Sequence, residues 1–251
     1  ACWGWNEFGQ ATPPADKVFF TVSASRNHSC AITIENQIEC WGCGNSGGEC
    51  SFGLPPDEIP PGNYTAVSAG DFHTCGLTTG RELRCWGVQG GGRLDAPEGF
   101  YTHLTVGAAH GCALSTDGLL ACWGCGDGTN GCGDFDFGQA TPPEGTFLKI
   151  DAGGFNTCGL TTAGAIECWG CGDGVVDCGA QDAGQSLPPE GTFRDLSLGL
   201  RHGCAIRDTG EIECWGWDVF GQASPPEEFA PADPIPPGDG TGSDSGSTTS
   251  L

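Results

Sequence analysis

Cysteine is the residue whose type and spacing could do the most chemistry in this chain. There are 17 cysteines among 251 residues. Five pairs stand ten positions apart: Cys30/Cys40, Cys75/Cys85, Cys112/Cys122, Cys158/Cys168 and Cys204/Cys214. Three further pairs span seven positions, Cys43/Cys50, Cys125/Cys132 and Cys171/Cys178, and Cys2 is left over. Thiolates so spaced can hold zinc, cycle between dithiol and disulfide, or form structural bridges. Cys40-x-x-Cys43 has the spacing of half a zinc site or of a redox pair. The ten-spaced pair also occurs in repeats that lack the other two cysteines, so it is self-sufficient and the second pair belongs to an inserted loop. Disulfides are therefore the expectation, with metal or redox use as the alternative. Each bridge would close a loop of about ten residues and contribute on the order of 2–3 kcal/mol, not additively.

Each ten-spaced pair must be positioned by the stretch around it. The last copy runs His202-Gly-Cys204-Ala-Ile-Arg-Asp-Thr-Gly210-Glu-Ile-Glu-Cys214-Trp215-Gly216. Two short apolar or β-branched runs flank a turn carrying glycine, which reads as a β-hairpin with a cysteine on each strand. Cysteines facing across such a hairpin lie within disulfide reach. The stretch recurs from His28, His73, His110 and Asn156, and a Trp-Gly follows each second cysteine. Upstream of each hairpin lies a third run that opens on an aromatic and carries an aliphatic three residues on: Val22, Val67, Leu104, Ile150 and Leu196. The repeat is thus three short strands, and internal repeats decide the architecture.

Composition bounds the setting. The net charge is −23, with nine Lys and Arg residues against 32 Asp and Glu. That balance repels phosphate backbones and anionic lipid, which disfavours nucleic acid and anionic membrane surfaces as partners, and no membrane insertion is expected. No apolar run reaches the length of a membrane span. Paired cysteines in this number belong to an oxidising compartment, so an extracellular, secreted or cell-surface location is expected. There is no methionine, so Ala1 is not a translational start; we expect a processed protein or an excised segment.

Residues 1–229 are expected to form one all-β domain, with repeats near 19–63, 64–100, 101–146, 147–192 and 193–229 and a part-repeat at 1–18. Residues 230–251 read as a Pro-, Gly-, Ser- and Thr-rich tail. The part-repeat Ala1-Cys2-Trp3-Gly4-Trp5-Asn6-Glu7-Phe8-Gly9-Gln10 matches the third strand and following loop of the last repeat, Glu213 to Gln222. Its first two strands are missing from the chain.

The pattern Phe-x-x-Leu-Ser-x-Gly-x-x-His-x-Cys-Ala-Ile-x-x-x-Gly-x-Ile-x-Cys-Trp-Gly, here Phe193 to Gly216, resembles the regulator-of-chromosome-condensation repeat. That resemblance implies a β-propeller, usually of seven blades. It is nearest the short-repeat secreted branch of three-stranded blades, which includes a β-lactamase inhibitory protein. Nuclear members act as exchange factors for a small GTPase and dock on chromatin; acidity, disulfides and the lack of a basic arm set this chain apart from them. The expected fold is a disulfide-stapled propeller of five complete three-stranded blades and an N-terminal part-blade. Five blades and one lone strand do not make seven, so either the chain closes a small ring, or it is part of a longer propeller, or a neighbouring subunit supplies the missing strands at an open sheet edge; in the last case head-to-tail contacts can build filaments.

Candidate sites follow. His28, His73, His110 and His202 precede the first hairpin cysteine by two residues, where the fourth repeat has Asn156. Imidazoles in a ring could bind metal, but the asparagine points to hydrogen bonding. Asp127, Asp134 and Asp136 in the third insert are the candidates for calcium, and Asp173, Asp177 and Asp182 are their counterparts in the fourth. Solvated acidic loops are preferred to a calcium site at both. Asn27-His-Ser and Asn63-Tyr-Thr match the N-glycosylation acceptor. Cys2, Trp5, Phe8, Trp217 and Phe220 are the candidates for intermolecular contact. No catalytic set is recognisable. The function expected is a non-enzymatic extracellular scaffold, adhesion or protein-interaction module that self-assembles with other copies, and needs no cofactor. The alternatives are a secreted inhibitor-type binder of a protein target and a hydrolase or lyase on a propeller face.

Overall fold

The computed structural model describes residues 2–42, 59–128 and 132–226. Among these are 15 strands in five three-stranded antiparallel sheets. The first blade comprises β1 (Phe19–Ala24), β2 (His28–Thr33) and β3 (Ile38–Gly42). The second comprises β4 (Tyr64–Ala69), β5 (His73–Thr78) and β6 (Leu83–Gly87). The third comprises β7 (Tyr101–Val106), β8 (His110–Ser115) and β9 (Leu120–Gly124). The fourth comprises β10 (Phe147–Ala152), β11 (Asn156–Thr161) and β12 (Ile166–Gly170), and the fifth β13 (Phe193–Leu198), β14 (His202–Arg207) and β15 (Ile212–Gly216).

Each sheet runs inner, middle, outer in chain order, because short turns can join only antiparallel neighbours. The middle-to-outer turn needs one residue in the left-handed region. Gly118, Gly164 and Gly210 supply it in three blades. Asn36 (φ 63°) and Arg81 (φ 67°) take the same place in the first two.

Register puts the ten-spaced cysteines directly opposite, as in Cys30↔Cys40 and Cys204↔Cys214. All five such pairs are disulfides, with Cα atoms 4.0–4.1 Å apart. Cys125–Cys132 and Cys171–Cys178 are bridged within their loops, at 5.5 and 5.8 Å. Cys43 and Cys50 lie outside the described residues, as does the whole of the 230–251 tail. Cys2 is an exposed free thiol.

The core lies between blades rather than within them. A three-stranded sheet has two faces, and stacking buries both. From one blade come the middle-strand cysteine and aliphatic; from the next come the inner-strand aromatic and aliphatic and the Trp-Gly tryptophan. Cys30, Ile32 and Ile38 thus meet Tyr64, Val67 and Trp86. Cys112 and Leu114 meet Phe147, Ile150 and Trp169, and Cys158, Leu160 and Ile166 meet Phe193, Leu196 and Trp215. Inner strands of consecutive blades pack together from β1 through β13, but β1 and β13 do not pack on each other as those neighbours do. No helix among the described residues is long and apolar enough to cross a membrane.

Candidate interaction face

Three polar contacts recur at the blade boundaries. The first joins inner strands. The Ala69 N–H donates to Ser23 Oγ at 2.9 Å, Val106 N–H to Ser68 Oγ at 2.9 Å, and Ala152 N–H to Thr105 Oγ1 at 2.9 Å. Asp151 takes the place in the fourth blade, and its Oδ2 accepts the Leu198 N–H at 2.7 Å. Burial pushes the Asp151 carboxyl up from its ordinary range, against the pull of those hydrogen bonds and of Lys149.

The second contact uses the histidines. His28 Nε2 lies 2.8 Å from Thr74 Oγ1 of the next blade, and His110 Nε2 lies 2.8 Å from Thr157 Oγ1. In the second blade the facing residue is Gly111, which has no hydroxyl, and neither ring nitrogen of His73 has a partner among the described residues. Asn156 instead donates through Nδ2 to Gln185 O at 3.2 Å. Burial drives the imidazoles towards neutrality, His28 to about 4 and His73 and His110 to about 3. His28 and His110 thus join blades, and among the described residues no three His, Cys, Asp or Glu side chains come together as a group that could hold a metal.

The third contact was not foreseen from sequence. Trp41, Trp169 and Trp215 each donate their indole N–H to the carbonyl of Gln10, Gln139 and Gln185, at 3.0, 2.9 and 2.9 Å. Each glutamine sits in a Phe-Gly-Gln or Ala-Gly-Gln loop, and its Oε1 accepts a backbone N–H two residues back, as at Phe8, Phe137 and Ala183. Gln222 folds on Phe220 in the same way. The recurrence of that glutamine was the legible signal.

The remaining candidates separate. In the fourth insert, Asp173 accepts the Val175 and Val176 N–H groups, Asp177 that of Gly179 and Asp182 that of Gly184, so these carboxylates tie their own loop. The side chain of Asp134 lies outside the description, and Asp127 and Asp136 are not part of a metal-holding group of three or more His, Cys, Asp or Glu among the described residues. Trp5 packs edge-on to Phe8 and Trp217 edge-on to Phe220, each pair at 5.3 Å. Trp5 and Phe220 are largely exposed.

Exposed apolar residues are spread over the described residues, and several of them, Trp3, Trp5, Val18, Phe20 and Val22, lie on β1 and the segment before it. Val22 is 59% exposed, whereas its counterparts Val67 and Leu196 are 9% and 2% exposed. Val18 and Phe20 of the same stretch are also exposed, and Trp3 shares a groove with Val22. A groove of about 380 Å³ runs between the Cys2–Trp5 arm and β1, lined by Cys2, Trp3, Trp5, Val22, Ala24 and Ser29. At the other end, Cys204, Ile206 and Ile212 are only half-buried, though their counterparts Cys30, Ile32 and Ile38 are covered by the next blade.

The family model described as "Regulator of chromosome condensation (RCC1) repeat" matches residues 64–92 and 193–222. These are RCC1-type repeats. The chain folds as an RCC1-type β-propeller, similar to several solved propellers. It matches the entire ectodomain of the Physcomitrella patens receptor kinase CR4 at 24% identity and TM-score 0.64, over 85% of this chain and 55% of that one. It matches the ectodomain of the Arabidopsis thaliana receptor kinase ACR4 at 24% identity and TM-score 0.57, over 81% and 70%. It matches Prp20p of Saccharomyces cerevisiae, described with its binding to Gsp1p and histones, at 17% identity and TM-score 0.66, over 86% and 67%. The chain thus spans about half the length of the moss ectodomain. At these identities the likeness is one of fold. No curated protein matches the chain.

Proposed function

We propose that this RCC1-type propeller is a non-catalytic, extracellular protein-interaction scaffold that binds through the unpartnered faces of its end blades, with other copies of itself as the first partner. The observation that carries this reading is Val22, an aliphatic buried at the equivalent Val67, Ile150 and Leu196 and bare here, in one groove with Trp3 and Trp5. A contiguous apolar patch rimmed by polar residues marks a docking surface. Seven described disulfides support an oxidising location. The receptor ectodomains that share the fold are extracellular by their descriptions, in keeping with this. The residues that repeat build blade boundaries, which favours a scaffold over an enzyme.

Light scattering across a concentration series tests the reading. The expected result is a mass rising above the 25.7 kDa of one chain and returning to it in Val22→Asp. A wild type that stays at one chain throughout would remove the self-associating version.

A further inference from the structure

The loops that follow the third and fourth outer strands meet at a cleft with an aromatic wall. In the third loop a short 3-10 turn, Gly133–Phe135, leads into Asp136 and Phe137. Both phenylalanines close on Phe155, which stands in the inner-to-middle turn of the fourth blade. Phe135 stacks on it with ring centres 5.7 Å apart and planes 18° apart, and Phe137 meets it edge-on at 5.6 Å. Phe137 is buried with Val176 and the Cys171–Cys178 bridge of the fourth loop. Phe135 stays 53% exposed. Its ring is thus held by Phe155 while much of its surface remains open to solvent.

The cleft encloses about 460 Å³, and its lining includes Phe135, Asp136, Phe137, Asp177, Ala180 and Gln181. Charge complementarity names the occupant. All nine Lys and Arg residues of the chain are described, and none of them lines the cleft. The ion pairs among the described residues use neither Asp136 nor Asp177. Two carboxylates therefore stand beside an open aromatic ring with no ion-pair partner from the chain itself. No group of three or more His, Cys, Asp or Glu that could hold a metal ion forms among the described residues, which favours an organic cation. The wall already takes one guanidinium within the molecule. Arg201 donates through Nη1 to Ala180 O at 2.9 Å and through Nη2 to Gln181 Oε1. Guanidinium groups also lie over phenylalanine rings elsewhere in the chain, Arg93 over Phe72 at 5.0 Å and Arg207 over Phe193 at 4.7 Å.

We propose that this cleft binds an arginine side chain presented by a basic segment of another protein. The guanidinium lies over the open part of the Phe135 ring. Asp136 and Asp177 accept its N–H groups. Arginine is preferred to lysine because its planar cation both stacks and forks. A second copy of this chain is the poorer donor, with nine Lys and Arg against 32 Asp and Glu. The inference goes beyond the end-blade reading, since the cleft shares no lining residue with the groove beside Val22.

The probe is the peptide Gly-Ser-Gly-Arg-Gly-Ser-Gly, acetylated and amidated, titrated into the whole chain at low salt. Binding is followed by NMR through the backbone amides of Ala180 and Gln181. The same peptide with lysine, and with neutral citrulline, serves for comparison. The arginine peptide is expected to bind about threefold tighter than the lysine peptide, the advantage an exposed ring contact gives, and the citrulline peptide to leave both amides unshifted. Lysine carries the same charge, so that preference separates the cleft from the general pull of the acidic chain. Phe135→Leu keeps the net charge and should erase the preference. Asp136→Asn should weaken the arginine peptide about threefold, the loss of one exposed charge contact. Both side chains are exposed, and an unchanged melting temperature checks that the variants fold. Equal binding of the arginine and lysine peptides would overturn the proposal. So would a preference that survives Phe135→Leu, or displacement of the peptide by millimolar calcium at constant ionic strength, which would mark a metal site.

Discussion

His110 reaches across the boundary between the third and fourth blades to Thr157, Nε2 to Oγ1 at 2.8 Å, with its ring wholly buried. The Thr157 hydroxyl has one proton and gives it to Gln139 O at 3.0 Å. His110 must therefore carry its proton on Nε2 and act as donor. One contact thus fixes the tautomer and ties two blades and a loop together.

The same position in the second blade is the control. His73 is as deeply buried and has no partner among the described residues. His73→Leu is expected to be neutral or to stabilise by about 1 kcal/mol, because an unsatisfied polar ring is replaced by apolar volume. His110→Leu should destabilise by about 1–2 kcal/mol through the lost bond to Thr157. Urea unfolding of the two variants at pH 7 reads the contrast.

Acid should weaken the fold through these rings. Their folded values, about 4 for His28 and about 3 for His73 and His110, lie below the ordinary value of 6.5. The unfolded chain therefore binds more protons, and the contribution present above pH 6.5 is lost as pH falls towards 4. Three such groups set a slope of about 4 kcal/mol per pH unit in the middle of that window, from about 1.4 per proton. Unfolding free energy measured from pH 7 to 4.5 should show it, and His73→Leu should flatten the slope by about a third.

Asp151 should act with the opposite sign. Its folded value is raised by burial, so its carboxyl favours the fold at low pH, and that contribution is lost as pH rises through the raised value. Ser23 and Ser68 fill the same place in other blades and accept the same kind of N–H. Asp151→Ser is therefore expected to raise the melting temperature at pH 7 relative to wild type, with the gain shrinking below pH 4. Calorimetry at the two pH values checks this.

Arg81 holds a left-handed conformation at the tip of the second hairpin, φ 67°, where three other blades have glycine. A side chain there costs on the order of 1 kcal/mol. Arg81→Gly should recover about that amount in chemical unfolding, and Arg81→Val should lose more, since a β-branched residue fits that region worst.

The architecture was legible because the repeat carries its own alignment. Cysteines ten apart across a short turn could only face each other, and Trp-Gly after the second cysteine marked each outer strand. What joins one blade to the next was harder to see. Ser23, Ser68, Thr105 and Asp151 share a position but not a residue type, and their role depends on a strand 38 to 47 residues away. His73 looks identical to His110 in sequence, and only the facing residue, Gly111 rather than Thr157, separates an orphan from a donor. The bare first blade was signalled by the part-repeat, but the groove beside Val22 depends on where the Cys2–Trp5 arm lies, which spacing alone does not fix.

The account rests on each blade having its middle and outer strands pinned by their own bridge. Proteolysis without reduction, after alkylation of free thiols, followed by mass spectrometry of the linked peptides, tests this most directly. The account predicts Cys30–Cys40, Cys75–Cys85, Cys112–Cys122, Cys158–Cys168 and Cys204–Cys214, with Cys125–Cys132 and Cys171–Cys178 separate from them. Links of the kind Cys122–Cys125 or Cys168–Cys171, or alkylated thiols released with zinc, would contradict it.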